Sequence, residues 1–440
     1  NGFSEEETSY EPEIYPDAKS ISQSNHRSLT PSWSGNYQFI LPRNITLAIN
    51  SSATYARNNS HTLFSESDTR ILNNVKEDAW KAYLNGGLTK KWGDNSLGFS
   101  INGELTGNKL HYSGDNPADI DYMFKAIGAF VRGNFSIGKF WIQPSAKFFL
   151  SATSFGDEHF SQPLPGYYIA GGISFNQKHQ FSFDSEMSQF TIGAAQRSPN
   201  IVVRNMLDAV KGNPDLKTWL YNSVSASYVW LPKQWLNFSA GVSYVRHTKP
   251  AVFKYEPTTI NGRQMMLCTY MKNGYFQTLS ESLSVVARLF NNALTLQGYL
   301  SIDSHRRGGI VRFNRTVVNS QLSATAFLRD FYIQGAYQFK GKNAYTASQI
   351  SDTPSYYSLR VGWSHKGLNL SALLQNPFRS SLRAGNTLSD AGNYRQVSES
   401  FSDDFRRQIW ISAVYSISYG KKVGQGGIGR GATVDSGIVE

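Results

Sequence analysis

The glycines of Gly424-Gln425-Gly426-Gly427-Ile428-Gly429 have the spacing that lets a backbone approach a dinucleotide pyrophosphate. That chemistry needs a helix and a second strand behind the glycines, and too few residues follow, so the run reads as a flexible tail. The histidines at 26, 61, 111, 159, 179, 247, 305 and 365 show no metal-ligand spacing on one element. No Gly-x-Ser-x-Gly elbow, phosphate loop or His-Glu-x-x-His pair occurs. Glu104, Asp184 and Glu186 fall inside strand-like segments, with Glu104 and Asp184 on polar faces. An acid pair in a wet lumen could do general acid–base work, but the bland reading is structural charge. Cys268, the single cysteine, excludes an intrachain disulfide and a thiolate metal site. The expectation is a non-enzyme with no cofactor and no metal. Four residues in or beside long polar links, Arg197, Arg204, Lys211 and Tyr270, are candidate ligand contacts; loop solvation is the plainer alternative for each.

These side chains need elements to carry them. At 440 residues the chain exceeds one ordinary soluble core, so it must be several domains, a repeat array or one large closed sheet. Aromatic residues reach 14%, too many for a disordered chain. No run of about 20 apolar residues marks a membrane helix. A mean hydropathy of −0.38 suits a soluble protein, and equally a transmembrane barrel, half of whose strand residues are polar. The net charge of +11 comes from scattered Lys and Arg without a nucleic-acid-binding module. Lipopolysaccharide or an anionic ligand suits it better. The chain lacks an initiator Met and a signal-peptide pattern over 1–20, and it is expected to be a mature or truncated product.

Alternation with a period of two carries the fold. Val224, Ala226, Tyr228 and Trp230 interleave with Ser223, Ser225 and Ser227; after a turn, Leu236, Phe238, Ala240, Val242 and Tyr244 interleave with Asn237, Ser239, Gly241 and Ser243. Leu283, Val285, Ala287 and Leu289 precede Asn291-Asn292, and Leu294, Leu296, Gly298, Leu300 and Ile302 follow it. One face therefore meets apolar surroundings and the other water. Such segments hold for roughly 10–14 residues, longer than globular strands and long enough for tilted membrane strands. Glu281 breaks the rule by falling in the apolar row, which predicts a place near the outer rim or a bulge.

Tight turns at 41–44, 93–95, 136–139, 176–178, 231–234, 291–292, 329–330 and 365–367 alternate with long polar links at 60–78, 111–121, 153–165, 195–217, 252–274, 305–315, 343–353 and 379–404. Strict alternation is expected when every second connection faces the periplasm. Beside the short turns stand Phe39, Trp92, Phe135, Phe140, Phe175, Phe181, Trp230, Trp235, Phe290, Phe327, Phe331 and Trp363, a candidate interfacial girdle. The predicted architecture is all-β, a transmembrane antiparallel barrel of about 17 strands over 31–420. An extracellular loop segment occupies 1–30, and a Gly-rich periplasmic tail 421–440. Bacterial barrels have even strand numbers and no open edge in lipid, so partners are expected before the first strand.

Arg197-Ser198-Pro199-Asn200, then Gly212-Asn213-Pro214-Asp215-Leu216-Lys217 and a long strand, resembles the late barrel of TonB-dependent outer-membrane receptors, in the branch common in Bacteroidetes. That branch usually continues its Gly-Asn-Pro-x-Leu-Lys run with Pro-Glu; here Thr218-Trp219 stands instead. The closing segment Ile409–Tyr419, followed by Gly420-Lys421-Lys422, is also similar, though the tail beyond it departs from the pattern. The resemblance implies a bacterial outer-membrane location, a 22-stranded barrel whose last part is this chain, and a plug domain and first strands outside it. It further implies TonB-coupled import, with a surface lipoprotein as a possible partner. Within the motif, Gly212, Asn213, Pro214, Leu216 and Lys217 are expected to shape the chain where the strand begins. The competing function is a non-importing barrel acting as a scaffold or assembly component; a passive porin stands third.

Overall fold

The computed structural model describes residues 4–10, 20–66, 69–115, 117–204, 207–309, 312–346, 349–379, 383–390, 394–401 and 407–416. The glycine-rich segment 421–440 lies outside the described residues. Nineteen strands form one sheet, and two of them, Ser4–Tyr10 and Ser20–Leu29, sit beside its main ladder. The remaining seventeen (19 − 2) run from Ser32–Leu41 to Gln408–Tyr415, each antiparallel to its neighbour along the chain. Among the described residues, Ser32–Leu41 pairs only with Ile45–Glu66, and Gln408–Tyr415 only with Leu368–Gln375.

The tight turns fall where the sequence puts them, within a few residues. Several need a left-handed backbone, which Asn and Gly supply most cheaply. Asn291 and Asn292 have φ of 56° and 69°, and Gly93 and Gly138 have 57° and 60°.

The apolar face of the wall is the exposed one. Leu84, Leu88, Phe99, Ile101, Ile127 and Leu150 stand exposed, while their alternate neighbours Asn85 and Asn102 turn inward and hydrogen-bond each other across adjacent strands. An exposed apolar surface of this extent is stable only against lipid. Ten of the twelve girdle aromatics are exposed; Phe135 and Trp363 are half-buried against Trp92 and Phe331. Glu281 is exposed between Val242 and Ile302 in unbroken register, so no bulge turns it inward.

Outside the lipid band the structure departs from the sequence reading. The long links are largely β-structure, not loops. Ile45–Glu66 and Thr69–Trp92, with 22 and 24 residues, pair to their tips. About 9–11 residues cross a membrane, so these strands continue well beyond it. Above the bilayer the outward side chains meet water and need not be apolar, so alternation stops while hydrogen-bonded pairing goes on. Residues 20–29, expected within a loop segment, likewise form a strand, paired to Arg57–Glu66.

Candidate functional site

Two of these outer segments fold into a second sheet of four strands, Ile201–Val203, Asp208–Lys211, Arg263–Lys272 and Ala251–Ile260 in that spatial order. Asn261 and Gly262 turn the Ala251–Lys272 hairpin with φ of 51° and 78°, values that mark a type I′ turn. Asp208–Lys211 joins this hairpin in parallel, opposite Met266–Thr269.

The sheet packs on the inward face of the tall wall strands. Val202, Val210, Tyr255 and Cys268 bury against Val75, Leu110, Tyr112, Ile120, Tyr122 and Phe155. Val203, Ala209, Ile260 and Met265 do the same with Phe64 and Ile71. Asn73 Nδ2 donates to the Val203 carbonyl at 2.8 Å, and Tyr122 Oη to the Ile192 carbonyl at 3.2 Å. The outer half of the protein thus has a core of soluble-protein kind.

All four candidate contact residues are brought to this sheet, but not all to its surface. Arg197, at the end of the helical turn Ala194–Arg197, is 3% exposed, and its guanidinium lies 5.3 Å from the Phe160 ring. Its Nε and Nη1 meet no hydrogen-bond acceptor among the described residues, and burial pulls its pKa below the usual arginine range. Arg204 lies 3.6 Å from the buried Asp208; burial pulls its pKa down, but Asp208, Cys268 and Tyr255 together raise it above the usual arginine value. Tyr270 packs on Phe253 at 5.0 Å, and burial raises its phenol pKa. Lys211 is half-exposed at the strand end. Sequence gave no sign of Lys272, where burial and then the charges of Lys217, Lys249 and Arg197 lower the ammonium pKa. These cations come from segments far apart in the chain.

The motif Gly212–Lys217 forms the joint between sheet and wall. Asn213 accepts from the Asp215 N–H at 3.0 Å and donates its side-chain amide to the Tyr270 carbonyl at 2.9 Å. Its backbone N–H donates to the Gln196 carbonyl at 2.8 Å, and Leu216 is 1% exposed. A Cβ at Gly212 would stand 2.5 Å from both the N and the O of Ser198, which are backbone atoms that cannot swing aside. Gly212→Ala is therefore expected to cost about 1–3 kcal/mol by overpacking. Its readout is faster protease cleavage within 195–217, with the membrane-embedded strands unaffected.

Cys268 is fully buried, and burial pushes its thiol pKa up to about 11. A free thiol titrates near 8.5, so at pH 8 the reactive thiolate fraction falls by roughly two orders of magnitude. Maleimide should leave the native protein unlabelled at pH 8 and label it after denaturation. Rapid native labelling would show that the sheet opens readily.

Beneath this sheet a cavity of about 330 Å³ is lined by Lys81, Glu104, Tyr122, Phe149, Leu164 and Ile192, among others. Lys81 pairs with Glu104 at 3.1 Å, and Lys147 Nζ donates to Ser188 Oγ at 2.8 Å with Glu186 3.9 Å away. The inward carboxylates are thus engaged with neighbours; Asp184 accepts from Ser225. No group of three metal-ligating side chains occurs among the described residues.

No protein-family model matches the sequence, and a search of curated proteins returns no match. Solved structures do align with it. The copper transporter OprC matches with a TM-score of 0.60 at 10% identity, over 90% of this chain and 76% of its own. The pyoverdine outer membrane receptor FpvA from Pseudomonas aeruginosa PAO1 gives 0.60 at 9% identity, over 91% and 62%. The ferric citrate transporter FecA gives 0.58 at 12%, again over 91% and 62%. At such identities the likeness is one of fold. The chain has the antiparallel β-barrel fold of outer-membrane receptors, and it spans 62–76% of the length of these structures.

Proposed function

We propose that this chain is the larger part of a bacterial outer-membrane receptor barrel that imports a ligand by coupling to the inner-membrane protein TonB. The observation that carries the proposal is a receptor-type wall of seventeen strands whose edge strands, Ser32–Leu41 and Gln408–Tyr415, do not pair with each other among the described residues. Unpaired amides in lipid are costly, so further strands are needed to close the wall. Five would bring it to the 22 that the family resemblance implies, with a plug domain inside. Transport by OprC and FecA, as their names state it, supports import as the reading. On this reading ligand contact belongs to the outer sheet, with the half-exposed Lys211 and Tyr270 on its two inner strands and the buried Arg197 and half-buried Arg204 holding it in place. The ligand's identity does not follow from these residues.

The burial of Arg197 in a preformed outer core also favours the second reading, a scaffold whose outer sheet binds a partner such as a surface lipoprotein. The two are separated by in-cell photo-crosslinking of the full-length protein from the segment preceding the barrel. A TonB adduct supports import. A correctly inserted protein that yields none overturns it and leaves the scaffold.

A further inference from the structure

The lipid-facing outer rim is not the same all the way round. On the strands Leu236–Thr248, Tyr275–Leu289 and Leu294–Gly308, register sets Arg246 opposite Gln277 and Gln277 opposite Arg306. The row continues through Asn222 on one side and Asn314 on the other. All three central residues are in phase with the exposed Val242, Leu279 and Leu283, whereas His305 and Arg307 on either side of Arg306 are buried inward. Arg246 and Arg306 are themselves exposed, and the Arg246 guanidinium lies 5.4 Å from the Tyr275 ring.

The height of this row follows from strand geometry. Gln277 is twelve residues from Leu289 at the periplasmic turn. A strand rising about 3.3 Å per residue and tilted about 40° lifts it roughly 30 Å, just above an apolar band about 25 Å tall. That is the level of the headgroups, one step above Leu279 and two above Ile302.

On the first strands the rim neutralises its own charge. In the corresponding outward row of the first strands, Arg57, Asp78, Lys109 and Asp121 stand side by side with alternating sign, and Arg57 pairs with Asp78 at 3.1 Å. Arg246 and Arg306 have no ion-pair partner among the described residues; the nearest carboxylate in their column, Glu281, lies two steps below, beneath Leu279.

We propose that Arg246, Gln277 and Arg306 form a binding site for the phosphate of an anionic glycolipid in the outer leaflet. Two strand spacings, about 10 Å, separate the arginines. Both side chains are long enough to converge over Gln277, whose amide adds a donor, and guanidinium forks match phosphate oxygens in pairs. The proposal rests on the outer-membrane location given above and not on import.

The test uses the full-length protein in phosphatidylcholine nanodiscs containing a small fraction of lipid A, with and without its phosphates. Lipid retained after detergent release is counted by native mass spectrometry. Arg246→Gln with Arg306→Gln should lower retention of phosphorylated lipid A on the order of tenfold. Lys109→Gln should change it little, and dephosphorylated lipid A should be retained weakly by every variant. Equal retention by wild type and double variant overturns the site, as does an equal loss in Lys109→Gln. Competition by millimolar inorganic phosphate would show a soluble-anion site and overturn the lipid assignment. Heat-modifiable migration on gels, measured on each variant, reports barrel folding separately, so a failure of insertion is not mistaken for a failure of binding.

Discussion

Replacing Leu283 with arginine is expected to destabilise the inserted barrel by about 2–4 kcal/mol, while the same change at Ser284 costs less than about 0.5 kcal/mol. The two positions are adjacent and differ only in face. Leu283 is exposed on the apolar side, opposite Ala240 and Leu300. Six residues from the periplasmic end of its strand, it stands roughly 15 Å into the apolar band, near the depth where a buried charge is most costly. Ser284 points into the lumen, opposite Ser239, where water solvates an added guanidinium. Equilibrium unfolding in urea from lipid vesicles measures both. Equal costs at the two sites would mean that the faces are assigned wrongly, and with them the membrane-spanning reading.

That same alternation explains how much of the fold the sequence made legible. Val224–Trp230 against Ser223–Ser227 reports which face meets lipid, and lipid is present only across the band. Inside the band, turns, strand number and lumen-facing Glu104 and Asp184 could all be read. Outside it the signal ends although the strands do not, so 60–78 looked like a loop while Ser60 pairs with Val75. The turn at Asn261-Gly262 was the local mark of order within 252–274. No local mark exists for the parallel pairing of Asp208–Lys211 with Met266–Thr269, which joins residues nearly sixty positions apart. Parallel strands are brought together by packing at a distance, here on Val75, Leu110 and Tyr122.

The candidate site was legible in the same uneven way. Gly212 and Pro214 were legible as residues that shape the strand entry, and the close approach of Gly212 to Ser198 and the Asn213–Tyr270 hydrogen bond show how that joint is held. Arg197 and Arg204 read as candidate ligand contacts in long links, with loop solvation the plainer alternative because charge usually seeks water. The burial of Arg197 beside Phe160 and the pairing of Arg204 with Asp208 depend on partners that only the folded outer sheet brings beside them.

Glu77 carries the second large effect. It is 1% exposed on the inward face, where the outer core gives way to the polar lumen. Its carboxylate accepts from Asn58 Nδ2 at 2.7 Å and Asn108 Nδ2 at 2.8 Å, tying three neighbouring strands together. Hydrogen bonds to a charged group contribute about 1.5–3 kcal/mol each, and a buried donor left without an acceptor adds its desolvation cost. Glu77→Ala should therefore weaken the outer hairpins by about 3 kcal/mol or more. Glu77→Gln should lose roughly half of that, because one oxygen acceptor remains and an Asn amide can turn to meet the new donor. The loss is local, since the membrane-embedded strands have their own pairing and their lipid contacts. Hydrogen exchange should accordingly accelerate about a hundredfold across 57–66, 69–78 and 105–114 in Glu77→Ala, with no change near the periplasmic turns. Unchanged exchange in those outer segments would mean that packing of the outer sheet alone holds the tall wall upright, and that the Asn58–Glu77–Asn108 bridge follows the fold without supporting it.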